Sequence, residues 1–95
     1  MSLSVFATIH PKPDCLDEAR DAILGILSET RAEAGCQHFT LHRNVDSGSL
    51  HLTEIWDDQA AFDAHHAQPY TRQVFERYEQ LLAAPVELTF MHPIA

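Results

Sequence analysis

The chain has 95 residues, 45% of them hydrophobic and 21% charged, an ordinary composition for a globular protein, and this length predicts one domain over residues 1–95. Its formal net charge is -8, and its six Lys and Arg form no basic cluster, so neither nucleic acid nor an anionic membrane surface is an expected partner. It lacks the run of roughly eighteen apolar residues that a membrane span needs, and "MSLSVFATIH" lacks the basic start of a signal peptide; a cytoplasmic protein with Cys15 and Cys36 reduced is expected.

Residues 3–10, "LSVFATIH", are rich in Val, Ile, Phe and Thr and predict a strand. Pro11 and Pro13 end it, and Asp14 is placed to cap a following helix. The spacing of Leu16, Ala19, Ile23, Ile26, Leu27 and Thr30 predicts one long helix over 15–34, with Glu29 and Glu33 off its apolar stripe. Gly35 stops that helix, as glycine does where a left-handed residue is needed. Residues 37–45 and 49–56 predict two strands joined by "DSG". Alternation puts Phe39 and Leu41 on one face with Leu50, Leu52, Glu54 and Trp56; His38, Thr40, His42, His51 and Thr53 share the other.

Asp57 or Asp58 caps a short helix reaching His66, and Pro69 fits the first turn of the next. That helix carries Val74, Phe75, Tyr78, Leu81 and Leu82 on one stripe and is broken by Pro85, after which "VELTFMH" alternates as a fourth strand. The order β-α-β-β-α-(α)-β predicts an α+β, ferredoxin-like split βαβ fold: a four-stranded antiparallel sheet with helices on one face. The other face is then bare, and packing it on a second copy predicts a two-fold homodimer.

Cofactor signatures are scarce. Gly25, Gly35 and Gly48 are isolated, so no phosphate-cradling loop exists, and no Cys-x-x-Cys is present. His38 and His42 lie about 13 Å apart along a strand and cannot share an ion without help from a dimer partner. His65 and His66 diverge by about 100° on their helix, a poor metal pair. Neither metal nor cofactor is expected. Glu54 is costly to bury unpaired, so it either pairs with an Arg or His or lines a solvated cavity. Trp56 is either core or an aromatic wall with an N–H to offer.

Gly35 leading into Phe39-Thr40-Leu41, then "EIWDDQAAFDAH" from Glu54 to His65, then Pro69 and the strand after Pro85, together resemble the antibiotic biosynthesis monooxygenase domain family over nearly the whole chain. The resemblance implies a ferredoxin-like subunit, a dimeric α/β barrel formed by sheet packing, and a pocket between sheet and helices. Some members oxidise quinols or anthrones with molecular oxygen and no metal, flavin or haem; others degrade haem, and one branch isomerises a phosphorylated sugar derivative. The histidine that follows the "AAFDA" segment in the family falls on His65, not His66. The haem-degrading pattern does not fit: its helical iron ligand falls near Phe75, its pocket tryptophan at His65, and "SVFATIH" lacks its asparagine. The resemblance therefore implies a cofactor-independent monooxygenase acting on a small aromatic substrate. His65 is its expected base, Trp56 stacks on the ring, and Phe39, Leu41, Phe62, Phe75 and Tyr78 form walls. Arg72 or Arg43 stabilises a phenolate if either reaches the pocket, the alternative being an exposed arginine; Glu54 is given no fixed role, though it could orient His65 or hold Arg43. A non-catalytic binding protein and a cofactor-free isomerase are the alternatives.

Overall fold

The computed structural model describes residues 1–95. Strands β1 (Leu3–Ile9), β2 (Cys36–Arg43), β3 (Leu50–Trp56) and β4 (Glu87–Met91) form one sheet in the order β2-β3-β1-β4. Every neighbouring pair is antiparallel. Helices α1 (Leu16–Leu24), α2 (Leu27–Arg31), α3 (Gln59–Ala67) and α4 (Pro69–Leu81) complete the expected ferredoxin-like arrangement.

The register confirms both predicted faces. Val5 pairs with Glu54 and Ala7 with Leu52, while Phe39 and Leu41 lie across from Glu54 and Leu52. These positions, with Leu3, Ile9, Leu50 and Trp56, face the helices; all are buried except Leu41, which is half-buried against the core. The opposite face carries Ser4, Phe6, Thr8, His38, Thr40, His42, His51 and Thr53, the out-of-phase members of the same pairs. There His38 and His42 both reach Thr53 Oγ1, at 3.1 and 3.0 Å. One hydroxyl proton can serve only one of these rings, so the other ring donates its N–H. No three His, Cys, Asp or Glu side chains converge closely enough to hold an ion.

Four local expectations need correction. The long helix breaks after Leu24. Gly25 stays right-handed, but Ile26 opens to φ -114°, ψ 4°, and its N–H bonds back to Ile23 in a tightened turn before α2 resumes. Glycine's low helix propensity makes that break cheap, and Ile26 remains buried across it. Asp14 does not cap α1: Cys15 holds the cap position without a side-chain bond. Gly35 is not left-handed, since no residue of the chain has positive φ. It is required for closeness instead. A Cβ there would sit 2.4 Å from the Ala61 Cβ, so glycine lets α3 lie against the start of β2. The β2–β3 turn is wider than "DSG": Asn44 N–H donates to the Ser49 carbonyl, and the Asn44 side chain accepts from Asp46 N–H inside the loop.

At the start of α3, Asp58 is the cap, accepting from Ala61 N–H at 2.9 Å, while Asp57 accepts from Gln37. Pro69 opens α4 as expected. That helix ends at Leu81, four residues before Pro85. Lys12 N–H bonds to the Leu81 carbonyl and Ala83 N–H to that of His10, tying the helix end to the strand β1 exit. Cys15 and Cys36 are free thiols. No helix is long and apolar enough to cross a membrane.

Candidate active site

The centre of the site is an aromatic stack between β3 and α3. Trp56 closes β3 and is wholly buried. His65, one helical turn beyond Phe62 on α3, lies over the indole with ring centres 4.8 Å apart and planes 29° from parallel. Phe39 and Phe62 meet the indole edge-on at 6.4 and 6.5 Å. Offset stacking and edge contacts of this kind fix a ring in plane as well as in position.

His65 is 3% exposed yet keeps a defined polar partner. Its Nδ1 lies 2.8 Å from Glu33 Oε2. A carboxylate only accepts, so Nδ1 carries the hydrogen, and the neutral form of the ring then presents its lone pair at Nε2. Nε2 has no protein partner. Tyr70 O–H donates to the same Glu33 oxygen at 2.5 Å, and Thr71 Oγ1 stands 3.4 Å from Nδ1. The Tyr70 phenol is pushed above its ordinary value, by burial first and then by the Glu33 bond. Glu33 is thus gripped from two sides and holds the imidazole in one orientation. Reading the sequence placed Glu33 off the apolar stripe and missed Tyr70 and Thr71; Glu33 lies past the end of α2, where helical periodicity no longer predicts direction.

Glu54 is buried, and Trp56 Nε1–H donates to its Oε1 at 2.9 Å. Neither of the partners expected for it is found: it bonds neither His65 nor Arg43. Burial raises its carboxyl from 4.5 to about 7, against a smaller lowering effect of the indole N–H. His66 is pressed by Phe62 and Phe75, with ring centres 4.3 and 5.3 Å away. Burial, then the neighbouring His65, lowers its pKa to about 4, so it is neutral near pH 7.

These groups meet at a cavity of about 30 Å³ between sheet and helices. Glu54, His65, His66, Phe39, Phe75 and Tyr78 all line it. Tyr78 contributes only ring surface, because its O–H is committed to the Ala19 carbonyl at 2.8 Å. Outside lies an open groove of about 810 Å³ along α4, and His66, Phe75, Tyr78 and Val86 border both spaces. Arg72 borders the groove and not the inner cavity, in company with Glu76 and Glu79.

Several expected wall and anion-binding residues stand elsewhere. Trp56 is sealed beneath His65, Leu41 packs on the core, and Phe62 fills the space between Trp56, His66 and Phe90; none of the three borders the cavity. Arg43 sits at the hairpin end of β2, exposed and opposite Leu50. Neither arginine reaches the inner cavity.

A four-stranded antiparallel sheet with helices on one face and a small pocket between the layers defines a ferredoxin-like α+β protein. Its sequence over most of its length, and its shape, match one family. The profile of the family described as "Antibiotic biosynthesis monooxygenase" matches residues 2–77, and the chain belongs to that family. Rv0793 of Mycobacterium tuberculosis is 30% identical over 92 residues, which span 97% of this chain and 91% of that protein. Its solved structure superposes with a TM-score of 0.95, covering 100% of this chain and 97% of that one. PA3566 of Pseudomonas aeruginosa, 25% identical, superposes with a TM-score of 0.93 over 99% of this chain and 95% of its own.

Proposed function

We propose that this protein is a monooxygenase that oxidises a quinol, an anthrone or a similar electron-rich aromatic with molecular oxygen, without metal, flavin or haem. One observation carries the reading: a buried imidazole, anchored at Nδ1 by Glu33, presents an uncommitted Nε2 beside a cavity. That is the base-and-orienter arrangement of general-base catalysis. Family membership supports it, as does the provisional name of Rv0793, a monooxygenase.

Triplet oxygen reacts poorly with closed-shell molecules, so the substrate must first become an electron-rich anion. His65 Nε2 takes the proton, and Glu33 stabilises the imidazolium that forms. For an anthrone methylene, the carbanion gives its electron pair to dioxygen in two one-electron steps. The resulting peroxide is protonated, loses its second C–H proton and expels the distal oxygen as water. The net change is CH2 plus O2 to C=O plus H2O. The ring lies in the outer groove and its reacting edge points inward, past Phe75, which is 39% exposed and borders both spaces. Neither the buried stack nor the narrow cavity holds a ring as it stands.

The cavity's size favours a second reading. About 30 Å³ accommodates a water-sized group, so a non-catalytic protein that binds only at the groove is the alternative. An isomerase of a phosphorylated substrate is disfavoured, because Arg72 shares the groove with Glu76 and Glu79. The deciding experiment is oxygen uptake by metal-stripped protein with anthrones and hydroquinones. Enzyme-dependent uptake should fall about 100-fold or more in His65→Ala. Unchanged uptake in the variant removes His65 as base; no uptake above the spontaneous rate moves the binding protein ahead.

The sheet face away from the helices is covered, in this reading, by a second copy. It exposes Phe6, and Met91 lies beside Ser4 on the same face. Light scattering should give twice the 10.7 kDa chain mass, and a monomer mass would refute the dimer.

A further inference from the structure

We propose that Glu54 is the oxyanion-binding group of the site: as a neutral carboxylic acid, it donates a hydrogen bond from Oε2 to the phenolate oxygen of a quinol-type ring, which reaches the inner cavity from the groove. The inference rests on reading the site as one for an ionisable aromatic, and it names the group that recognises the anion.

Three observations carry it. The first is what Glu54 lacks: no Lys, Arg or His forms an ion pair with it. A buried carboxyl without a cation costs stability and is held only where something offsets it. The second is the direction of its one bond. The indole N–H can only donate, so Oε1 is the accepting oxygen; that bond by itself favours the ionised form, and burial outweighs it. The acid proton then belongs on Oε2, which has no protein partner. The third is size. The inner cavity has room for an oxygen but not for a ring, whereas the groove sharing its His66–Phe75 border has room for the ring. An aromatic ligand must therefore lead with a small edge group, and Glu54 lies where that group arrives.

The arrangement also supplies what neither arginine can, since Arg72 and Arg43 stand outside the cavity. A carboxyl kept protonated at neutral pH by an apolar site is a known way to bind an oxyanion. With the carboxyl raised to about 7, a large share is protonated at neutral pH. The other titratable groups around it are His65, tied to Glu33, and His66 on α3, Tyr78 on α4 and Cys36 on the adjoining strand. His66 is neutral over the range that matters, and the Tyr78 and Cys36 acids are both pushed upward and stay protonated.

The test is binding of 2,6-difluoro-4-nitrophenolate, which stays ionised throughout, measured by its visible absorbance at pH 6 and pH 8. Only the protonated carboxyl donates, so the wild-type affinity should be about ten-fold weaker at pH 8. In Glu54→Gln the amide N–H donates at both pH values, and the affinity should change less than about two-fold. His65→Gln should keep the wild-type slope. An unaltered slope in Glu54→Gln, loss of the slope in His65→Gln, or no binding to the wild-type protein would overturn the assignment. Oxygen uptake measured on the same samples separates this from the reaction. Uptake without the Glu54-dependent slope removes the oxyanion role alone; the slope without uptake removes the monooxygenase alone.

Discussion

Trp56→Ala should remove about 4 kcal/mol or more of folding stability, the largest effect expected for any single change at this site. Truncating a fully buried tryptophan costs about 3–5 kcal/mol through lost transfer energy and the cavity left behind. Here a second cost adds to it. The indole is the only hydrogen-bond donor to buried Glu54, and an orphaned buried acceptor costs about 1–3 kcal/mol more. Domains of this size are stable by about 5–15 kcal/mol in total, so the variant should be close to unfolded. The indole also forms the floor beneath His65, so any folded remainder should lose the fixed imidazole. Trp56→Phe separates the two contributions. It keeps most of the ring and its stack but loses the N–H, and should cost about 1–3 kcal/mol by the hydrogen-bond argument alone. Urea unfolding followed by circular dichroism measures both variants. A loss below about 1 kcal/mol in Trp56→Ala would show that the indole is not an energetic centre of the core.

The sheet was legible because its two faces differ so clearly. Leu3, Val5, Ala7 and Ile9 alternate with Ser4, Phe6 and Thr8, and a slip of one residue would turn the whole apolar set outward. The break at Gly25 was not legible, since Ile23, Ile26 and Thr30 stay buried on either side of it and leave the apolar period intact. Gly35 was recognised as necessary but for the wrong cause. Its constraint is the nearness of Ala61, 26 positions along the chain and invisible to any local rule. Glu33 was missed for the same kind of reason: its bond to His65 spans 32 residues. The partner of Glu54, by contrast, was within reach of sequence reasoning. Residues two apart on a strand share a face, and the arithmetic that put Glu54 and Trp56 together also brings the carboxyl beside the indole N–H. Phe75 was placed on the α4 stripe with Val74 and Tyr78. The stripe's buried centre is Thr71, Val74, Tyr78 and Leu81, which leaves Phe75 at its margin, where the cavity meets the groove.

Glu54→Gln should make the protein more stable, by a margin that opens as pH rises past about 4.5 and is full above about 7. The folded carboxyl holds its proton up to about 7, whereas the ordinary value that applies to the unfolded chain is 4.5. Between those values the folded state binds more protons than the unfolded one, so stability falls as pH rises. The loss begins near 4.5, is complete above about 7, and amounts to something on the order of 3 kcal/mol. This is the reverse of the usual carboxylate, whose folded pKa is depressed and whose contribution disappears in acid. Glutamine has nearly the same shape, can accept the Trp56 N–H through its amide oxygen, and never ionises. Wild type and variant should therefore agree within about 1 kcal/mol at pH 4.5, and the variant should lead by about 3 kcal/mol at pH 8.5. Comparing the two proteins at each pH cancels the titration of every other group. Equal stabilities at both pH values would mean that Glu54 reaches solvent freely and ionises as an ordinary carboxyl. A lead that grows from about pH 4.5 and levels off above about 7 would identify Glu54 as a residue held against the stability of the fold, as sites kept for binding or chemistry commonly are.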